Sequence, residues 1–237
     1  MYNITQQLED KSIFNDMAFP RLVSYPRTGS HWLRMMLEVH LGMPSYVQSF
    51  FDPSPTQCWG FHIHNRLIEE PHHTEGPVVG LKNVIYLYRD PIDTVFSQLR
   101  YEKKLSPSWS GEENERLIQD VEKISQEYYT HLERWLLNND DVDNFMSLTY
   151  EDLKDDPVEK LMAISTFLGA GGTVDAASEA VRRCDKSLTK KLTPHDNNAL
   201  NDQSLNRPDQ YTDQKQLFTA RYGNKIVEKF KSVYHVK

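Results

Sequence analysis

Residues Leu22 to Leu41 read LVSYPRTGSHWLRMMLEVHL. The stretch opens as a buried strand at Leu22, Val23 and Tyr25, and Pro26 to Ser30 form a tight turn. Leu33, Met36, Leu37 and Leu41 then recur at helical spacing and make one apolar face. Gly42 and Pro44 stop the helix. A turn of this kind leaves backbone N–H groups unpaired at the helix N-terminus. Those donors and the helix dipole suit an anion, above all phosphate. Arg27 adds a fixed positive charge, and Ser30 is placed to cap the helix or to offer a hydroxyl to the anion. The turn holds one glycine and no Gly-Lys-Ser/Thr ending, so it lacks the nucleoside-triphosphate signature. An ordinary strand-to-helix connection remains the alternative on these residues alone.

At 237 residues the chain reads as one domain spanning 1–237 and can bury a sizeable core. With 38% apolar and 26% charged residues it has a globular composition. A net charge of −7 argues against a general nucleic-acid binder, so any anion site is a local basic pocket. Cys58 and Cys184 make neither a disulfide framework nor a zinc pattern. The start, MYNITQQLEDKSIF, lacks the basic-then-apolar order of a signal peptide, and no run approaches a membrane span. These features lead us to expect a cytoplasmic protein without membrane insertion; they leave the oligomeric state open.

Residues 1–20 read as an irregular lead-in. Pro44 to Gly60, rich in Pro, Ser and aromatics, reads as an ordered surface loop or short helix. Its Tyr46, Phe50, Phe51 and Trp59 suit either packing or an apolar acceptor pocket. His62, His64, His72 and His73 follow. His-x-His can put two rings on one side of a strand, but no acidic or Cys partner has metal-ligand spacing, and no metal is expected. One histidine acting as a general base is the sharper reading.

Val78 to Arg89 is the strongest strand signal, nearly continuous and apolar as in a central parallel strand. Asp90 is a good N-cap and Pro91 suits the first helical position. Arg89 therefore falls at the carboxyl end of a strand, where open α/β sheets bind ligands, although pairing with Asp93 would also explain it. A long helix is expected at 113–138, a strand at Phe145–Tyr150, a helix opened by Asp156-Pro157 and closed by Gly169, and helices near 174–183 and 187–191. Leu192 to Thr212 reads as a long flap, and a last helix at 213–232 packs Phe218, Tyr222, Ile226 and Phe230. Alternating strands and helices predict a three-layer α/β fold with a central, mainly parallel sheet flanked by helices.

Four ordered blocks resemble the sulfotransferases that use 3′-phosphoadenosine 5′-phosphosulfate (PAPS). YPRTGSHW (Tyr25–Trp32) resembles their 5′-phosphosulfate loop. IYLYRDPIDTVFSQ (Ile85–Gln98) is similar to their 3′-phosphate motif, with Arg89 and Ser97 eight residues apart. YEDLKDDPVEKLMAISTFLG (Tyr150–Gly169) matches a Tyr-Glu-Asp-Met-Lys-x-Asp-Pro block. Asp213, Lys215, Phe218 and Thr219 resemble the end of a Gly-Asp-Trp-Lys-Asn-x-Phe-Thr segment, which puts Arg207 at the first Arg of Arg-Lys-Gly.

The resemblance implies a P-loop NTPase-like fold and the following roles. Arg27, Thr28, Gly29, Ser30 and His31 lie along the phosphosulfate loop, Trp32 stacks on adenine and Tyr150 contacts the base. Arg89, Ser97 and Arg207 hold the 3′-phosphate. A histidine base, His64 in preference to His62, takes the proton of a hydroxyl or amine on a small-molecule or glycan-like acceptor. Arg27 stabilises the charge that develops, and adenosine 3′,5′-bisphosphate leaves. Arg27 stands where Lys is usual, and His31 where a hydroxyl is usual. The Arg-Lys-Gly glycine gives way to Asp209, so a flap of different shape is expected. Two other readings stay open: a P-loop kinase using Mg-ATP, and a non-catalytic nucleotide-binding protein of the same fold.

Overall fold

Among the described residues, four parallel strands form the sheet that carries the turn at Pro26–Ser30. The computed structural model describes residues 2–3, 18–46, 49–52, 54–64, 81–106, 108–185, 188 and 208–234, with the backbone alone at 2, 3, 61, 63, 64, 208 and 209. Its strands are β1 (Tyr2–Asn3), β2 (Arg21–Ser24), β3 (Gln57–Cys58), β4 (Phe61–His64), β5 (Asn83–Tyr88) and β6 (Asn144–Thr149). Its helices are α1 (Ser30–Leu41), α2 (Pro91–Tyr101), α3 (Glu115–Leu132), α4 (Tyr150–Asp155), α5 (Pro157–Leu168), α6 (Val174–Arg183) and α7 (Pro208–Phe230). The sheet order is β4-β2-β5-β6, while β1 and β3 form a separate antiparallel pair.

This order explains the sequence pattern. Strand β5 lies between β2 and β6, and Val84 to Leu87 are fully buried. A strand covered on both faces needs a continuous apolar run. Among the described residues, strand β6 has a neighbour on one side only, and most of its residues are partly exposed. Ser24 pairs with His64 on one side and Leu87 on the other, so β2 and β4 end level and β5 runs one residue further at its carboxyl end.

The chain divides into two compact units. The first comprises residues 1–88 and 139–192 and holds the sheet. Leu22, Leu33, Leu37, Ile85, Leu148 and Ile164 belong to its core. The second comprises 89–138 and 193–237. There Phe96 meets Phe218 at 5.3 Å and Tyr128 meets Phe230 at 5.6 Å between ring centroids. Short polar side chains start the helices by accepting from the first turn: Asp90 from Asp93 N, Asn114 from Leu117 N, Thr149 from Asp152 N and Asp156 from Glu159 N.

The α/β fold with a parallel sheet is as expected, but several boundaries differ. Tyr2–Asn3 is a strand within the expected irregular lead-in, because it pairs with Gln57–Cys58. Pro44 to Gly60 contains no helix among its described residues, and its ends are tied together by Tyr46 N–H to Gly60 O at 2.7 Å and Trp59 N–H to Pro44 O at 3.2 Å. Tyr150 opens α4 rather than ending the strand, since the Thr149 hydroxyl caps a helix there. The long helix is α3 followed by a π-helical turn at Glu133–Leu137. Residues 208–212 of the expected flap form the first turns of α7, where Pro208 is tolerated because a first-turn N–H has no intrahelical acceptor. Residues 192–207 lie outside the described residues, as does the expected helix at 187–191 apart from Leu188.

Candidate functional site

The turn after β2 leads into α1 through left-handed backbone. Arg27 has φ 71° and Gly29 has φ 97°, both left-handed. Gly29, not Ser30, occupies the N-cap position, and no side chain caps the helix there. Ser30 is the first helical residue and is 4% exposed, so the expected Ser30 cap is not formed. The first N–H groups of α1 thus have no acceptor from a capping side chain. The Thr28 hydroxyl donates to Tyr25 O at 2.8 Å and braces the turn from within.

Tyr150 lies against this turn, and Trp32 meets Tyr150. A Cβ on Gly29 would sit 2.5 Å from Tyr150 Cδ2, so the glycine allows the aromatic ring to lie directly on the backbone. Trp32 meets Tyr150 edge-on at 5.9 Å, and its indole N–H donates to Cys184 O at 2.7 Å. Two of the residues expected at the base, Trp32 and Tyr150, are therefore adjacent although far apart in sequence. His31 points its ring edgewise at Phe50, 6.1 Å away.

Strand β4 carries both candidate bases. His64 pairs through its backbone with Ser24, at the carboxyl end of β2; its side chain lies outside the described set. His62 Nε2 is 2.8 Å from Ser24 Oγ, and His62 Nδ1 is 3.5 Å from an Arg34 guanidinium nitrogen. A guanidinium only donates, so Nδ1 accepts and Nε2 carries the proton toward Ser24. Arg34 is 5% exposed, donates to Ser45 Oγ at 3.0 Å, and stacks over Phe50 at 5.3 Å. Burial lowers its pKa to about 10, against the opposing effect of the Glu38 charge.

One turn along α1, the buried Glu38 carboxylate accepts from Ser49 Oγ and from the backbone N–H groups of Phe50, Phe51 and Asp52, at 2.5 to 3.2 Å. Glu38 thereby fixes the start of the aromatic loop. Of that loop's aromatics, Tyr46 and Trp59 are 7% and 3% exposed and serve as packing, while Phe50 and Phe51 are half-buried.

In the second unit, Arg89 donates to Asp93 Oδ2 at 2.9 Å, and Lys215 bridges to Asp93 Oδ1 at 2.5 Å. The alternative of an Arg89–Asp93 pair is therefore formed, with Lys215 sharing the carboxylate. Ser97 lies seven residues into α2 and is half-buried. The Arg89 backbone is held at both ends by Tyr128, whose hydroxyl donates to Arg89 O at 2.6 Å and accepts from Arg89 N–H at 3.0 Å. Arg207, His72 and His73 lie outside the described residues. Both cysteines are buried, which pushes the Cys58 thiol up to about 12 and the Cys184 thiol up to about 11, so neither offers a thiolate. A cleft of about 700 Å³ in this unit, between α3 and α7, is lined by residues such as Glu122, Ser125 and Lys225, and by none of the expected site residues.

Sequence reasoning missed Arg34, Glu38 and Tyr128. The first two left a signal: opposite charges four residues apart, on a helix whose other faces are largely apolar. Tyr128 left none, because it falls on the buried stripe of α3, where an aromatic is ordinary packing.

Comparison with known proteins completes the description. Residues 78–237 match the family model described as the sulfotransferase domain. Human sulfotransferase 2B1 is 25% identical over 207 residues, covering 80% of this chain and 54% of that protein. An amine sulfotransferase of Oryctolagus cuniculus is 25% identical over 183 residues, covering 70% and 60%. Mouse sulfotransferase 6B1 is 24% identical over 226 residues, covering 89% and 74%. The chain thus spans little more than half the length of the first two relatives. The crystal structure of mouse sulfotransferase SULT7A1 complexed with PAP superposes with a TM-score of 0.57 at 20% identity, covering 96% of this chain and 95% of that one. Retinol dehydratase, in complex with androsterone and inactive cofactor PAP, gives 0.58 at 15% identity, covering 97% and 87%. These two likenesses establish the sulfotransferase-type α/β fold. With the family match covering well over half its length, this chain belongs to the sulfotransferase domain family.

Proposed function

We propose that this protein moves a sulfuryl group from PAPS to a hydroxyl or amine of a small-molecule or glycan-like acceptor. The observation that carries the reading is the turn at 25–30: its backbone is left-handed at Arg27 and Gly29, no side chain caps the helix that follows, and it sits at the carboxyl end of a parallel strand in a sulfotransferase-family chain. When bound, PAPS supplies the sulfuryl group. Arg27 and the first N–H groups of α1 hold the phosphosulfate and stabilise negative charge as it develops. Trp32 and Tyr150 offer flat apolar faces to the adenine. Arg89, Ser97 and Arg207 take the 3′-phosphate, for which a guanidinium offers two parallel donors. The uncapped helix end suits an anionic group, which supports a phosphosulfate there. The mechanism requires no metal, and we propose that the protein works in the cytoplasm.

We assign the base to His64. With Nδ1 facing the Arg34 guanidinium at 3.5 Å and Nε2 directed at Ser24 at 2.8 Å, both His62 ring nitrogens are engaged by neighbouring elements, which favours His64. Its role in this reading is to tie β4 to β2 and α1. His64→Ala is expected to lower kcat by about 10²–10⁴-fold, with His62→Ala costing less.

Calorimetry with adenosine 3′,5′-bisphosphate tests the whole reading. Binding that weakens at least tenfold in Arg89→Ala is the expected result. No binding, or tight Mg-ATP binding indifferent to a 3′-phosphate, would overturn it in favour of a kinase. Cofactor binding without transfer to any of a broad acceptor panel would favour a non-catalytic protein.

A further inference from the structure

We infer that Tyr128 is a positioning residue that sets the aim of Arg89, and thereby the preference for a 3′-phosphorylated nucleotide. The inference rests on the reading that Arg89 takes the 3′-phosphate. The β5 ladder to β2 ends with Leu87 and that to β6 ends with Tyr88, so Arg89 is the first residue beyond the strand pairings. A residue there has lost the ladder that fixed its backbone, and its side chain would swing with it. One hydroxyl restores that constraint. Tyr128 donates to Arg89 O at 2.6 Å and accepts from Arg89 N–H at 3.0 Å, so a single atom engages both backbone groups of the residue. The hydroxyl is itself held rigidly: Tyr128 is fully buried on α3, with its ring against Phe230 at 5.6 Å.

The fixed backbone matters because Arg89 has a competing partner. Asp93, one turn into α2, binds its guanidinium at 2.9 Å, and Lys215 draws on the other oxygen of the same carboxylate at 2.5 Å. The guanidinium is thus restrained at its head by Asp93 and at its root by Tyr128. Loss of the root frees the Arg89 backbone, and the partly exposed ion pair with Asp93 is a weak constraint on direction. The energetic consequence falls on whichever ligand group Arg89 meets, and not on groups held by the turn at 25–30.

Tyr128→Phe removes the one oxygen and keeps the ring. The test compares adenosine 3′,5′-bisphosphate with adenosine 5′-monophosphate by calorimetry, in wild type and variant. Tyr129→Phe is the control, because its hydroxyl contacts Glu133 and Ser232, both at 3.3–3.4 Å. We expect Tyr128→Phe to lose about tenfold in affinity for the bisphosphate, as two hydrogen bonds to a ligand-facing residue imply, with the monophosphate unchanged. Tyr129→Phe should leave both affinities unchanged. Equal loss for both nucleotides, or no loss for either, overturns the positioning role. If wild type itself shows no preference for the bisphosphate, the 3′-phosphate reading of Arg89 fails first, and the inference falls with it. Should Tyr128→Phe fail to fold, amide exchange in the wild type reads the same bond. Slow exchange at Arg89 N–H supports the inference, and exchange as fast as an exposed amide overturns it.

Discussion

Gly29 is the residue on which the turn depends most directly. Its φ of 97° is costly for any side chain, and a Cβ would overlap the Tyr150 ring at 2.5 Å. Gly29→Ala is expected to cost about 1–3 kcal/mol in urea unfolding, and to weaken nucleotide binding because Tyr150 must move. His40 gives a second prediction, set by pH. Its Nε2–H donates to Ser165 Oγ at 2.5 Å, since the Ser165 hydroxyl already donates to Leu161 O at 2.8 Å. Burial holds the His40 pKa below its ordinary 6.5. The folded state therefore keeps the ring neutral where the unfolded chain would protonate it. The contribution is intact above pH 6.5 and falls as the pH drops from there toward the lower folded-state value. Unfolding midpoints at pH 7.5 and 5.5 should differ less in His40→Gln than in wild type.

Among the elements, α1 does two jobs with its polar residues. Arg34 reaches His62 and Ser45, and Glu38 gathers the N–H groups of the loop at 49–52. Buried charges on a helix are tolerated when each is paired or hydrogen-bonded, and Glu38 meets this condition with four donors. Glu38→Ala leaves those donors unpaired. We expect a loss of roughly 2–3 kcal/mol in stability, together with faster amide exchange at Phe50 and Phe51. If Phe50 and Phe51 also line the acceptor site, the acceptor KM rises while the bisphosphate affinity holds, which separates the loop's role from that of the turn.

On the scale of the whole molecule, each unit has a core of its own, and α7 supplies much of the second. Phe218 is fully buried against Phe96 and Tyr222, at 5.3 and 5.1 Å, while its neighbour Leu217 is 41% exposed. Phe218→Ala should cost about 3–5 kcal/mol in urea unfolding. Leu217→Ala should stay within about 0.5 kcal/mol. Equal effects would show that α7 packs on a different face.

The parallel sheet, the strand–turn–helix unit at 22–41 and the buried stripe of α7 were legible in the sequence because each rests on local physics. Val84 to Tyr88 is apolar in a run, Leu33, Met36 and Leu37 recur at helical spacing, and Phe218, Tyr222, Ile226 and Phe230 do the same. Caps at Asp90 and Asp156 announce helix starts through short-range hydrogen bonds. Other features were not legible because they join residues distant in sequence. Nothing in the turn says that Tyr150 will lie on Gly29, or that His62 will find Arg34. Nothing in α3 says that one tyrosine hydroxyl will hold the backbone of Arg89. Ser30 looked like a cap, but the left-handed Gly29 took that place and left the helix end without one. The sequence by itself determined the strand, the turn and the charge of Arg27. Tertiary structure decided how Tyr150, His62 and Arg89 are held, because those contacts depend on which elements pack together, and local pattern does not encode that.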